Sequence, residues 1–254
     1  MGNKYEKPFL KSVIFRIDLA QPFRQSEELA ADFHKIIKEK FQNKEEIIGT
    51  HFEATLGTGE KDKNIVRQRA VTNYKFSDAD GNHILLLEFE PPNLNLLFNA
   101  YKNSDELKEF VDLISTAANK VYGDIIIKRV GLRYINNIVL SGDAFQWAPF
   151  IDSHLISILD FPPEKRSISR GLGRIELVKD SYSVLFQFGM FNPEFPNPIA
   201  RKEFILDYDC YTNEERSIAD VSKTVMALHE EVKRLFESSI LDELRVIMGV
   251  VKDE

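Results

Sequence analysis

Apolar residues recur at every second position between Phe9 and Ala20, with Val13, Phe15, Ile17 and Leu19 on one side and Arg16 and Asp18 on the other. That period predicts a strand with one face buried. From Ser26 the spacing changes: Leu29, Phe33, Ile36, Ile37 and Phe41 step by three and four, which predicts a helix over 26–42 with Ser26 as its N-cap. Strands follow over Ile47–Leu56, Ile65–Phe76 and His83–Glu90, the last two joined through Asp78, Ala79, Asp80, Gly81 and Asn82, residue types that suit a tight hairpin. Pro91 and Pro92 end the last strand, and Ser104 caps a helix whose Leu107, Phe110, Val111, Ile114, Ala118 and Val121 form one apolar stripe.

The pattern then restarts. Leu10-Lys11-Ser12-Val13-Ile14-Phe15-Arg16-Ile17 returns as Ile127-Lys128-Arg129-Val130-Gly131-Leu132-Arg133-Tyr134 at a constant offset, and self-similarity of this kind bears on the whole architecture. A strand is predicted over Ile125–Leu140, then a helix over 149–159 with Pro149 in its first turn, broken by Pro162 and Pro163. Strands over Arg170–Val178, Tyr182–Met190 and Glu203–Tyr211 are joined by Lys179-Asp180-Ser181 and by the proline-rich loop Asn192–Pro198. Ile218, Val221, Val225, Leu228, Val232, Leu235 and Phe236 mark a long amphipathic helix, and Leu244, Ile247 and Val251 one side of a short one.

These elements predict an α+β protein: two β-α-β-β-β-α units, 1–123 and 124–254, duplicated within one continuous domain. Edge pairing of the units gives a wide, saddle-like antiparallel sheet with helices on one face and the other face open; two packed sheets with helices outside are the alternative.

Composition narrows the partners. Forty acids against thirty-three bases leave a formal charge of −7, so the averaged field repels nucleic-acid backbones and anionic lipid. The single cysteine, Cys210, has no partner for an internal disulfide, and no apolar run reaches signal-peptide or membrane-span length, which makes the cytoplasm the expected location.

Candidate chemistry gathers on the open face. Strand alternation turns Glu88 and Glu90 outward in the first half, and Asp207 and Asp209 in the second, where Phe204, Leu206, Tyr208 and Cys210 form the inward set. Arg16 and Arg133, equivalent across the echo, share that face with Arg67, Arg69, Arg174 and Glu176. Cross-strand ion pairs explain such a mixture without function. A polar ligand groove uses the same residues, and the paired carboxylates alone could take a divalent cation or serve as acid and base. His51 and Glu53 share one side of a strand, whereas His34, His83, His154 and His229 lack metal-ligand spacing. Gly171-Leu172-Gly173 precedes a strand rather than a helix, so it is not a dinucleotide fingerprint, and no Walker, nucleophile-elbow or zincin motif is present. Cys210, alternating with core residues, reads as an inert buried thiol. Phe145 and Trp147, near Phe150, and Phe191 and Phe195 in the proline-rich loop are aromatic candidates for partner contact.

The run Arg129-Val130-Gly131-Leu132-Arg133-Tyr134-Ile135-Asn136-Asn137-Ile138, with Glu203-Phe204-Ile205-Leu206-Asp207-Tyr208-Asp209 and a long C-terminal helix, resembles a sporadically distributed, uncharacterised bacterial family of about this length. The resemblance implies an intracellular accessory protein and carries no catalytic motif. The sequence therefore predicts a non-enzymatic binding protein, without cofactor or metal, that holds a partner protein or small polar ligand on the open face or aromatic loops. A nucleic-acid-binding saddle and a metal-dependent hydrolase are the alternatives, and an uncovered sheet edge offers a route to self-association.

Overall fold

A computed structural model describes residues 4–21, 26–55 and 65–251, with side chains described over 5–21, 26–50 and 68–250. The first long strand, β2 (Leu10–Leu19), follows a two-residue strand β1 (Lys4–Tyr5) and alternates as expected, with Val13, Phe15, Ile17 and Leu19 fully buried. Helix α1 (Glu27–Ile37) leads into β3 (Asn43–Thr55), β4 (Ile65–Ser77) and β5 (His83–Phe89). A strand not expected from the sequence comes next: β6 (Pro92–Phe98) pairs with β5 from Phe89↔Pro92 to His83↔Phe98. Pro91 and Pro92 do not end the sheet but turn it, because a first strand position can lack an N–H without loss to the ladder. Helix α2 (Ser104–Tyr122) is capped by Asn103 rather than Ser104: the Asn103 side chain accepts from the Glu106 N–H at 2.9 Å.

The second half opens with β7 (Ile126–Leu140). The helix expected over 149–159 shrinks to α3 (Ser153–Ile156) and a 3₁₀ turn over Ser157–Asp160. This segment offers the core only Ile151 and Leu159 as fully buried residues, too few for an apolar stripe, so tertiary contacts rather than helical periodicity fix it. Then come β8 (Gly171–Val178), β9 (Ser183–Met190), β10 (Lys202–Thr212), β11 (Arg216–Ser217), α4 (Val221–Ser239), α5 (Asp242–Met248) and β12 (Val250–Val251). The buried positions of α5 are Leu244 and Met248, one turn apart, whereas Ile247 faces solvent.

The strands, β1 and β12 apart, form one 10-stranded sheet in the order β3-β4-β5-β6-β2-β7-β10-β9-β8, with β11 pairing β7 off that path; β1 and β12 form a separate ribbon. All its pairings are antiparallel. At its centre β2 lies against β7, so the echoing stretches are neighbours: Phe15 is directly opposite Leu132, its own counterpart in the echo. The helices α1, α2 and α4 pack edge to edge on the face formed by Phe15, Leu85, Leu96, Leu132, Phe204 and Leu206. Each half contributes five strands to the sheet, β2 to β6 from the first and β7 to β11 from the second, but the fifth strand of the second half, β11, is only two residues long. No described helix is long and apolar enough to cross a membrane.

Candidate functional site

Alternation in the central strands turns Arg16 and Asp18 of β2, Arg129, Gly131 and Arg133 of β7, and Asp207 and Asp209 of β10 to the face away from the helices. Register then brings them together: Arg16 is opposite Gly131, Asp18 opposite Arg129, and Arg133 opposite Asp209. The cluster surrounds a hollow of about 410 Å³ lined also by Ile14 and Asn95. Of the residues singled out in the sequence, the structure unites Arg16, Arg133, Asp207 and Asp209 here. Arg129 and Gly131 were not singled out, although they share the sequence parity of Arg133.

The ion pairs are unequal. Arg133 clasps Asp207 bidentately at 2.8 and 2.6 Å, and Asp207 is only 7% exposed beneath it. The hydrogen bond that the Arg133 guanidinium donates to Asp207, set against burial, raises its pKa. Arg16 holds Asp18 at 2.7 Å. Arg129 has looser partners, Asp209 at 3.4 Å and Asp18 at 3.8 Å, and lies over the Tyr211 ring at 4.7 Å. Its guanidinium folds above Gly131, where a Cβ would meet Nη1 at 2.7 Å, so the missing side chain makes this resting place. Burial raises the Asp209 pKa above the ordinary carboxylate value, opposed by Arg129, Arg133 and Arg16 and reinforced by Asp207.

The remaining candidates lie elsewhere. Glu88 accepts from the Asn93 amide at 2.9 Å, and Glu90 pairs with Arg69 at the end of the sheet. Arg174 and Glu176 pair with each other on β8. The Arg67, His51 and Glu53 side chains lie outside the described residues. Asp207 and Asp209 both face arginines, and no metal-holding group of acids, histidines or cysteine occurs among the described residues. Trp147 is corrected too: it is 1% exposed and packs on Phe204 with centroids 5.2 Å apart, closing the helix side of β10 rather than offering itself to a partner. Phe145 is half-buried against the same core. Phe191 and Phe195 are exposed and sandwich the Arg170 guanidinium at 4.5 and 4.3 Å. Cys210 is buried and its thiol pKa pushed up by desolvation, as an inert core thiol requires.

A second hollow, of about 370 Å³, opens on the helix side between the start of α2 and α4. Tyr134 Oη lies 3.0 Å from Tyr101 Oη and 2.8 Å from His229 Nδ1, beside Asn136, with Leu10, Val232 and Phe236 as apolar wall. Burial pushes the Tyr101 pKa up to about 12 and lowers that of His229, so the chain of groups is uncharged at neutral pH. No sequence signal linked these residues, which are far apart in the chain and meet only where β7 passes under both helices.

No family model, no curated protein and no solved structure matches this chain. The stretches that carried the resemblance, Arg129–Ile138 and Glu203–Asp209, are antiparallel neighbours in β7 and β10.

Proposed function

We propose that this chain is a non-enzymatic binding protein that holds a small molecule bearing an anionic group, a carboxylate or phosphate, in the hollow between Arg16, Arg129 and Arg133. The observation that carries the reading is the posture of Arg129. Its guanidinium is parked over Gly131 on two long ion pairs, while Arg16 and Arg133 are committed at short range. An incoming anion can take Arg129 at less cost than it can take the others, and Asp209, which burial already disfavours as an anion, is the partner released. The lone buried Cys210 fits a reducing cytoplasm as its setting.

The alternatives have less support. Asp18, Asp207 and Asp209 interrupt the arginines, which argues against a track for a phosphate backbone. The same pairs set Asp18, Asp207 and Asp209 each against an arginine, which argues against their sharing a cation.

Titration of the whole chain with inorganic phosphate and with succinate, followed by calorimetry and thermal melting, tests the proposal. Saturable binding is expected, weakened roughly tenfold or more in Arg129→Ala, as loss of a charge-assisted hydrogen bond implies. Gly131→Ala, which evicts Arg129 from its seat, weakens it as well, and Arg174→Ala on the sheet edge leaves it intact. Absence of saturable binding of either anion, or an Arg129→Ala variant that binds as wild type, would sink the reading.

A further inference from the structure

The sheet ends at β8, whose only neighbour is β9, paired from Gly171↔Met190 to Val178↔Ser183; among the described residues no strand lies beyond it. Its eight residues contain no proline and no lysine, and it exposes Leu172 (44%), Ile175 (42%) and Val178 (84%) beside the exposed Arg174 and Glu176. Such an edge is a template for another strand unless charge or irregularity blunts it. The opposite edge strand, β3, exposes Ile47 and Ile48 as well but sets Lys44, Glu45 and Glu46 next to them, three consecutive charges that β8 lacks.

The order of side chains along β8 identifies the occupant. When two copies of a strand pair antiparallel about a twofold axis normal to the sheet, residues on the same face meet across the axis. With the axis at Ile175, Leu172 meets Val178, Arg174 meets Glu176 and Ile175 meets itself, so apolar faces apolar and each charge faces its opposite. A shift of two residues destroys this match. With the axis at Arg174 two arginines oppose each other, and with the axis at Glu176 two glutamates do. Directly opposed like charges are unfavourable and unlike charges favourable, so the sequence selects one register among the neighbouring ones.

We infer that this protein is a homodimer in which β8 of one copy pairs antiparallel with β8 of the other about Ile175, continuing the sheet across both copies. The Arg174–Glu176 pair now made within one strand at 2.5 Å exchanges for two pairs made between strands. The exposed Leu172, Ile175 and Val178 are covered in the same step. This inference is independent of the anion site, from which β8 is separated by β9.

Charge reversal tests both the dimer and its register. Sedimentation velocity of the whole chain at micromolar concentration is expected to show the mass of two copies. Arg174→Glu and Glu176→Arg are each expected to sediment as monomers, since every cross-strand pair becomes a repulsion. Mixed together, the two variants are expected to form a heterodimer, and the double variant Arg174→Glu/Glu176→Arg to dimerise alone. Both residues are exposed, and circular dichroism confirms that each variant is folded before it is weighed. A monomeric wild type overturns the inference, whether or not some other protein's strand takes the edge. So does a dimer indifferent to the single reversals, or a mixture that stays monomeric.

Discussion

His229 sits in a setting that makes acid unwelcome. Desolvation on α4 lowers its pKa below 6.5, Lys233 adds to the effect and Glu230 opposes it, while Tyr134 and Tyr101 supply only neutral hydroxyls. Below about pH 6.5 the unfolded chain takes up a proton that the folded chain refuses, so stability is fully present above the unfolded value and falls as pH drops from there towards the folded pKa. Denaturant unfolding between pH 7.5 and 5 is expected to show this loss with a slope of at most about 1.4 kcal/mol per pH unit, and His229→Gln to remove that component. An unchanged slope in the variant would show that other groups carry the acid sensitivity. Arginines and acids of the open face were largely legible one residue at a time, because strand parity assigns the face. Arg129 followed the same parity as Arg133 and could have been found by it. The Tyr101–Tyr134–His229 chain was not legible, since its members meet through the packing of a strand under two helices and share no local spacing.

At the level of elements, periodicity was a good guide where one face is buried along a whole segment. In α2 the stripe of Leu107, Phe110, Val111, Ile114 and Ala118 is buried as its spacing required. It failed where punctuation was ambiguous. The paired prolines after Glu90 resemble a strand's end, but Pro91 lies in the turn between β5 and β6 and Pro92 opens the new strand, in which Asn93, Leu94, Leu96 and Phe98 are buried. The N-terminus of α2 shows the same limit at finer grain, for Asn103 and Ser104 are both residues that cap helices. The geometry selects Asn103, and Glu106 reaches back to the Lys102 N–H at 2.9 Å to complete a capping arrangement. Asn103→Ala is therefore expected to cost about 1 kcal/mol in thermal or denaturant unfolding. Ser104→Ala should stay within about 0.5 kcal/mol of wild type; a larger loss from Ser104 than from Asn103 would contradict this assignment.

For the molecule as a whole, the decisive feature is that the two halves meet strand to strand at the centre of the sheet. Separating them leaves β2 and β7 as long open edges whose inward residues, Phe15, Ile17, Val130 and Leu132, no longer have the neighbouring half beside them. Fragments 1–123 and 124–254 made separately are therefore expected to aggregate or to melt without a sharp transition, whereas the intact chain unfolds in one step with matching calorimetric and van 't Hoff enthalpies. A soluble, cooperatively melting fragment would show that one half stands alone. The chain has one tryptophan, Trp147, and it is enclosed on the helix side of β10. Its light emission is thus a colour gauge belonging to the second half alone, blue while that half is closed and red once water reaches the indole, so a spectrum recorded beside a whole-chain signal tells whether both halves let go at the same moment.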